Sequence, residues 1–117
     1  MRDFRELKVW EKGHKLTLVV YAETKMFPSH ERFGLTSQLR RAATSVPTNI
    51  AEGCGRRGDA ELARFMQISM GSASEVEYLL LLAYDLDYLN ENAYSKLNSQ
   101  VIEVKRMLAS FLIKLRK

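Results

Sequence analysis

The chain has 117 residues, 46% of them hydrophobic and 27% charged, with a formal net charge of +4 at pH 7. That length fits one domain over 1–117 with a single modest core, and that composition excludes both a disordered chain and a membrane protein. The longest apolar run, Leu79 to Tyr84, falls far short of the roughly 20 residues that a membrane-crossing helix needs. The amino terminus is charged from Arg2 onward and lacks the apolar stretch of a secretory signal. The single cysteine, Cys54, cannot form an internal disulfide, which leads us to expect a cytoplasmic protein.

Four helical segments are predicted, and no strands. In the first, Leu7, Trp10, His14, Leu18 and Tyr21 recur at spacings of three and four, so they are expected to form its buried stripe. Asp3 with Glu6 three residues on has the spacing of a capping box, and Phe27-Pro28 is expected to end the helix. The second helix is expected to start between Ser29 and Leu35, because Gly34 weakens its first turn. Leu35, Leu39, Ala42, Ala43, Val46 and Ile50 form its apolar face.

Pro47 has no N–H for the Ala43 carbonyl, and its ring crowds that group. Breaking the helix there would make Val46 a poor N-cap, so a kinked, continuous helix is expected, with Thr44 or Ser45 helping to satisfy the disturbed backbone. Asn49 and Glu52, three apart just after the proline, are expected to cap or tie the bend. Gly53 and Gly55 suit a left-handed C-cap, and Asp59 with Glu61 opens the third helix.

The third stripe holds Leu62, Phe65, Ser69, Ser72, Val76, Leu79, Ala83 and Leu86. Its run of small residues, Ser69 to Ser74, is expected where another helix packs closely. A fourth helix starting near Asn90 or Asn92 carries Leu97, Val101, Val104, Leu108, Phe111 and Leu115. Short connections between long helices imply an all-α, antiparallel up-down-up-down four-helix bundle. Tyr78, Leu80, Leu81 and Leu82 on the third helix, and Ile102, Leu112 and Ile113 on the fourth, exceed what one buried stripe requires. A homo-oligomer is therefore expected.

Charge is segregated along the chain. Five arginines and one acid lie between Arg32 and Arg57, five acids and no base between Phe65 and Ser95, and five basic residues with no acid between Lys105 and Lys117. Such segregation can steer an anionic ligand to one surface, or match a basic face to an acidic face of a neighbouring subunit. The pairs Arg40-Arg41 and Arg56-Arg57 border the proline-containing helix and are the candidate nucleic-acid contacts. Guanidinium groups bind phosphates bidentately, and clustered ones supply sequence-independent affinity for RNA or DNA. The competing reading of Arg40 and Arg41 is structural, through carboxylates such as Glu52 or Glu75.

Three motifs occur in order along the chain: Phe4-x-x-Leu7-x-Val9-Trp10; Phe27-Pro28-x-x-Glu31-x-Phe33-Gly34-Leu35-x-x-Gln38-Leu39-Arg40-Arg41-Ala42; and Ser45-Val46-Pro47-x-Asn49-Ile50-Ala51-Glu52-Gly53. With Phe65-x-x-Ile68-x-x-Gly71-Ser72-x-x-Glu75 and Tyr88-Leu89, they resemble the four-helix-bundle family of 23S rRNA intervening-sequence proteins. That resemblance implies a bacterial protein forming a ring-shaped homopentamer. It extends more distantly to the basic, nucleic-acid-binding accessory variability protein of diversity-generating retroelements. Trp10, Pro47, Asn49, Glu52 and Gly53 are then structural members of the motif, and Trp10 belongs to core or interface.

No enzymatic constellation is legible. Glu11-x-x-His14 has the spacing found in carboxylate-bridged dimetal bundles, but such a site needs a second pair, and His30 has no Glu at that spacing. No nucleotide-binding glycine loop or Ser/His/Asp set is present. No cofactor, metal or membrane partner is expected.

Overall fold

The computed structural model describes residues 2–116; Met1 and Lys117, the last member of the C-terminal basic run, lie outside the described residues. Four helices follow one another: α1 (Lys8–Thr24), α2 (Leu35–Cys54), α3 (Gly58–Asp85) and α4 (Glu91–Leu115), with 3-10 turns at Phe4–Glu6 and Ser29–Glu31. Among the described residues there is no strand, and no helix is long and apolar enough to cross a membrane. Helix α1 packs on α2 and α4, and α3 packs on the same two, so α1 and α3 occupy diagonal corners. Helix α3, at 28 residues, is about 42 Å long at 1.5 Å per residue. It spans the long dimension of a 43 × 23 × 20 Å rod.

The side chains of Leu16, Leu39, Ile50, Met66, Leu80, Leu97 and Leu108 fill the axis of the bundle. Most of the expected stripes are buried, but α1 is rotated from expectation. Its buried residues are Val9, Gly13, Leu16, Thr17, Val20 and Thr24, whereas Leu18 is 56% and Tyr21 41% exposed. Helix α1 carries two apolar stripes, and close packing selects the one with small residues. A Cβ on Gly13 would sit 3.1 Å from Val46 Cγ1, an approach that Trp10 or His14 could not make.

Helix α2 runs unbroken through Pro47. Thr44 and Ser45 do not repair its backbone as expected: Thr44 Oγ1 donates to Arg40 O, and Ser45 Oγ meets Ser72 Oγ at 2.8 Å. The Ala43 carbonyl instead accepts from Thr17 Oγ1 of α1 at 3.0 Å, while the same hydroxyl lies 2.9 Å from Gly13 O. On the α3 side, Ser69 Oγ donates to Val46 O at 2.7 Å. The helix that proline disturbs is thus held by a hydroxyl from each neighbour. The small residues at Ser69 and Ser72 meet α2 as expected, but Gly71 points into open space.

Asn49 Nδ2 donates back to Ser45 O at 2.8 Å, with Ser45 Oγ at 2.9 Å, and does not bond Glu52. The glycine caps are corrected. Gly53 lies inside α2, where a Cβ would come within 2.9 Å of Phe65 Cβ, so it permits close contact with α3. Gly55 is right-handed (φ −83°), and the left-handed glycine is Gly58 (φ 82°), at the start of α3. Asp3 caps the short 3-10 turn by accepting from Arg5 N, and α1 begins later, at Lys8.

At the opposite end, Glu31 joins two connections. Its Oε1 accepts from Leu35 N at 3.1 Å, and its Oε2 accepts from Tyr88 OH at 2.9 Å. The Leu35 amide, then the Tyr88 hydroxyl, hold this carboxyl below its ordinary value near 4.5. A lowered folded-state pKa stabilises the fold above the ordinary value, and that stability is lost as pH falls through the folded value. Tyr88→Phe removes one donor, so its loss of stability below about pH 4.5 should be shallower than in the wild type, read from thermal unfolding at stepped pH.

Candidate nucleic-acid interface

The two arginine pairs do not form one patch. Arg40 and Arg56 are sixteen positions apart on or beside α2, about 24 Å along the axis. Arg40 serves α1. Its Nε donates to Thr24 Oγ1 at 2.8 Å, its Nη2 to Tyr21 O at 3.3 Å, and its guanidinium lies 4.7 Å from the Tyr21 ring centroid. Helix α1 has no basic residue in its own last turn, so Arg40 supplies the cation that the negative end of its dipole favours. Arg41 is exposed beside Gln38, Ser45, Ser72 and Glu75, without an ion pair among the described residues.

The second pair splits likewise. Arg56 bonds Glu52 at 3.0 Å and lies 5.2 Å from the Phe65 ring centroid, with Arg64 at 4.5 Å from the same ring. Arg57 is exposed at the start of α3 and makes no side-chain hydrogen bond or ion pair among the described residues.

Antiparallel topology places the end of α2, the start of α3, the start of α1 and the end of α4 together. Arg2 ties them: its N–H donates to Cys54 O at 3.0 Å, its guanidinium lies 3.9 Å from Asp59, and it covers Phe111 at 5.6 Å. Lys8 and Lys114 line a shallow hollow of about 270 Å³ with Val9, Met107, Ser110 and Phe111. The acids here are mostly spent: Asp3 pairs with Arg5, Glu52 with Arg56, Asp59 with Arg2 and Glu61 with Arg64. Lys8, Arg57, Lys114 and Arg116 remain unpaired among the described residues, with only Glu6 to balance them. At the other end Glu23, Asp85, Asp87 and Glu91 are unpaired among the described residues, against Lys25, Arg32, Arg40 and Lys96, and Glu31 has only His30 as an ion-pair partner. The rod is polar in charge: its excess of unpaired cations lies at one end, and the other end is near balance.

Of the motif residues, Glu52 and Gly53 lie in the last turn of α2 at this end, and Trp10 and Pro47 line a groove between α1 and α2. Trp10 stacks on His14 (5.0 Å between centroids, 6° between planes) and packs edge-on to Phe4. Glu11 pairs with Lys15 at 3.4 Å. Among the described residues, no group of three or more His, Cys, Asp and Glu is placed to hold a metal ion. Cys54 is buried, and that burial pushes its thiol up, away from the reactive thiolate.

The model of the 23S rRNA-intervening sequence protein family matches residues 5–110, nearly the whole bundle. The chain belongs to that family. Its fold is also that of a solved protein of unknown function from the S23 ribosomal protein family of Bacteroides thetaiotaomicron. The two share 24% identity and a TM-score of 0.81 over 89% of this chain and 94% of that one. No curated protein is significantly similar. For this intervening-sequence family member, likeness therefore fixes family and fold, and function has to be argued from the surface.

Proposed function

We propose that this protein is a non-enzymatic, homo-oligomeric, cytoplasmic bundle that binds RNA or DNA through its basic end. The family resemblance suggests a pentameric ring as its assembly. The observation that carries the reading is the imbalance of unpaired charge among the described residues: four cations against one acid at the end where α2 and α4 finish. Unpaired cations release counterions when they meet phosphates, which gives sequence-independent affinity for a nucleic-acid backbone. Of the four arginines singled out in the sequence, Arg57 carries most of this role. Arg56 is already half-neutralised by Glu52, Arg41 lies nearer mid-rod, and the donors of Arg40 are engaged within the fold.

Gel-shift titration of a single-stranded RNA and a duplex DNA at rising salt tests the reading. Binding should be measurable at low salt for both and should weaken linearly in log–log form, by about 0.7–0.9 per phosphate engaged. Absence of binding at low salt removes it. A second reading, a protein-interaction scaffold, is favoured by Phe33 and Met26, 88% and 83% exposed on the connection between α1 and α2. It predicts salt-insensitive capture of a protein partner that is lost on Phe33→Ser.

A further inference from the structure

We infer that copies of this chain dock through two different surfaces, the groove between α1 and α2 of one copy receiving the outer face of α3 of the next. This rests on the homo-oligomeric reading above and adds which surfaces meet. The groove is the side of α1 that close packing on α2 left outside. It has a volume of about 580 Å³, lined by Trp10, His14, Leu18, Tyr21, Pro47 and Ala51 among others. A soluble bundle does not ordinarily leave an indole, a leucine and a tyrosine side by side in contact with water.

The complementary surface lies on α3. Ile68, Gly71, Glu75, Tyr78 and Leu81 recur at spacings of three and four, which places them on one exposed face. Ile68, Tyr78 and Leu81 are 42%, 60% and 42% exposed. Nothing lies within 4 Å of where a Cβ of Gly71 would sit, so the face has an open notch between two ridges. Ridge and notch are what helix-on-helix packing needs. The span from Ile68 to Leu81 is about 20 Å and that from Trp10 to Tyr21 about 16 Å, so the lengths are compatible.

Charge selects the pairing. The hairpin from Lys8 to Cys54 holds seven basic side chains and four acidic ones, whereas α3 holds five acidic and one basic. Glu75 and Asp85, on or beside the α3 face, have no ion pair among the described residues. The groove lining carries no Lys, Arg, Asp or Glu; the hairpin around it is net basic, so two hairpins face to face would bring like charge together, whereas a hairpin meeting α3 does not. Because α1 and α3 are diagonal corners, one copy can present both surfaces to different neighbours. Such heterologous contacts give closed rings when the rotation closes.

Leu18→Glu disables the groove and leaves α3 intact; Tyr78→Glu does the reverse. Both side chains are exposed, so both variants should keep wild-type helicity by circular dichroism. By light scattering the wild type should exceed a dimer and each variant alone should be monomeric. An equimolar mixture should form a one-to-one dimer, from the live groove of one and the live α3 of the other. A monomeric wild type would overturn the oligomer itself. A wild-type oligomer whose size Tyr78→Glu leaves unchanged would overturn this pairing alone, as would a mixture that stays monomeric. If either glutamate variant loses helicity, Leu18→Ser and Tyr78→Ser give the same readout.

Discussion

Thr17→Val is expected to lower the unfolding free energy by about 1–3 kcal/mol in the wild-type chain, and by clearly less when Pro47 is alanine. Valine keeps the shape of threonine and removes only the hydroxyl. That hydroxyl lies near two carbonyls, Gly13 O and Ala43 O. Gly13 O is the ordinary helical acceptor for the Thr17 amide, four residues on, so it keeps a partner without the hydroxyl. Ala43 O has no such reserve, because residue 47 has no N–H. Ala43 is fully buried, so water does not replace the lost donor. In the Pro47→Ala chain the new amide donates to Ala43 O, and the Thr17 hydroxyl becomes dispensable. Denaturant unfolding of the four chains in a double-mutant cycle measures the coupling. Equal costs of Thr17→Val in both backgrounds would show that the hydroxyl does not stand in for the missing amide.

That pairing also marks where the sequence ceases to be legible. The continuity of α2 through Pro47 follows from local rules, since a break would need valine as an N-cap. The group that rescues the orphaned carbonyl does not, because it comes from another helix 26 residues away. Local signals were readable at the starts of α3 and α4, where Asp59 with Glu61 lies in the first turn of α3 and Asn90 Oδ1 accepts from Ala93 N at 2.8 Å, but not at the glycines that follow Pro47. The buried face of α1 was not. Period alone fits both the Leu7–Trp10–His14–Leu18–Tyr21 stripe and the one through Val9, Leu16 and Val20, and interhelical distance decides between them. Gly13 and Thr17 were the readable signal, small residues spaced four apart on the second stripe. The basic end was legible only in pieces. Arg57 and Lys114 belong to separate basic runs, and up-down topology brings them together.

The polarity of the rod gains meaning if copies dock side by side, groove to α3, with their long axes roughly aligned. A cyclic assembly of that kind would gather every basic end on one rim. Four unpaired cations per copy are a weak phosphate site on their own. Repeated around a ring they would act on one strand or duplex together, with effective concentration in place of new contacts. Binding and assembly are then linked. The Leu18→Glu monomer should bind nucleic acid more weakly than the wild type while every basic side chain stays in place.

Reversing Arg57 and Lys114 to glutamate should reduce nucleic-acid affinity at low salt on the order of a hundredfold and flatten its salt dependence by about two phosphates per copy. The two positions come from different helices, are exposed, and hold no ion pair among the described residues, so neither change removes an internal contact. Arg56→Glu tests the contrast. It breaks the 3.0 Å contact with Glu52 and uncovers Phe65, so it should cost some stability; an exposed i,i+4 ion pair contributes only about 0.3–0.5 kcal/mol. Its effect on binding should be smaller than that of Arg57→Glu. Arg40→Ala removes a donor to Thr24 and Tyr21 at the far end and should lower the melting temperature with little change in the salt slope. Equal loss of binding from Arg40→Ala and Arg57→Glu would mean that the charge polarity of the rod does not locate the interface. A ranking with Arg57 and Lys114 first, Arg56 next and Arg40 last would place it where α2 and α4 end.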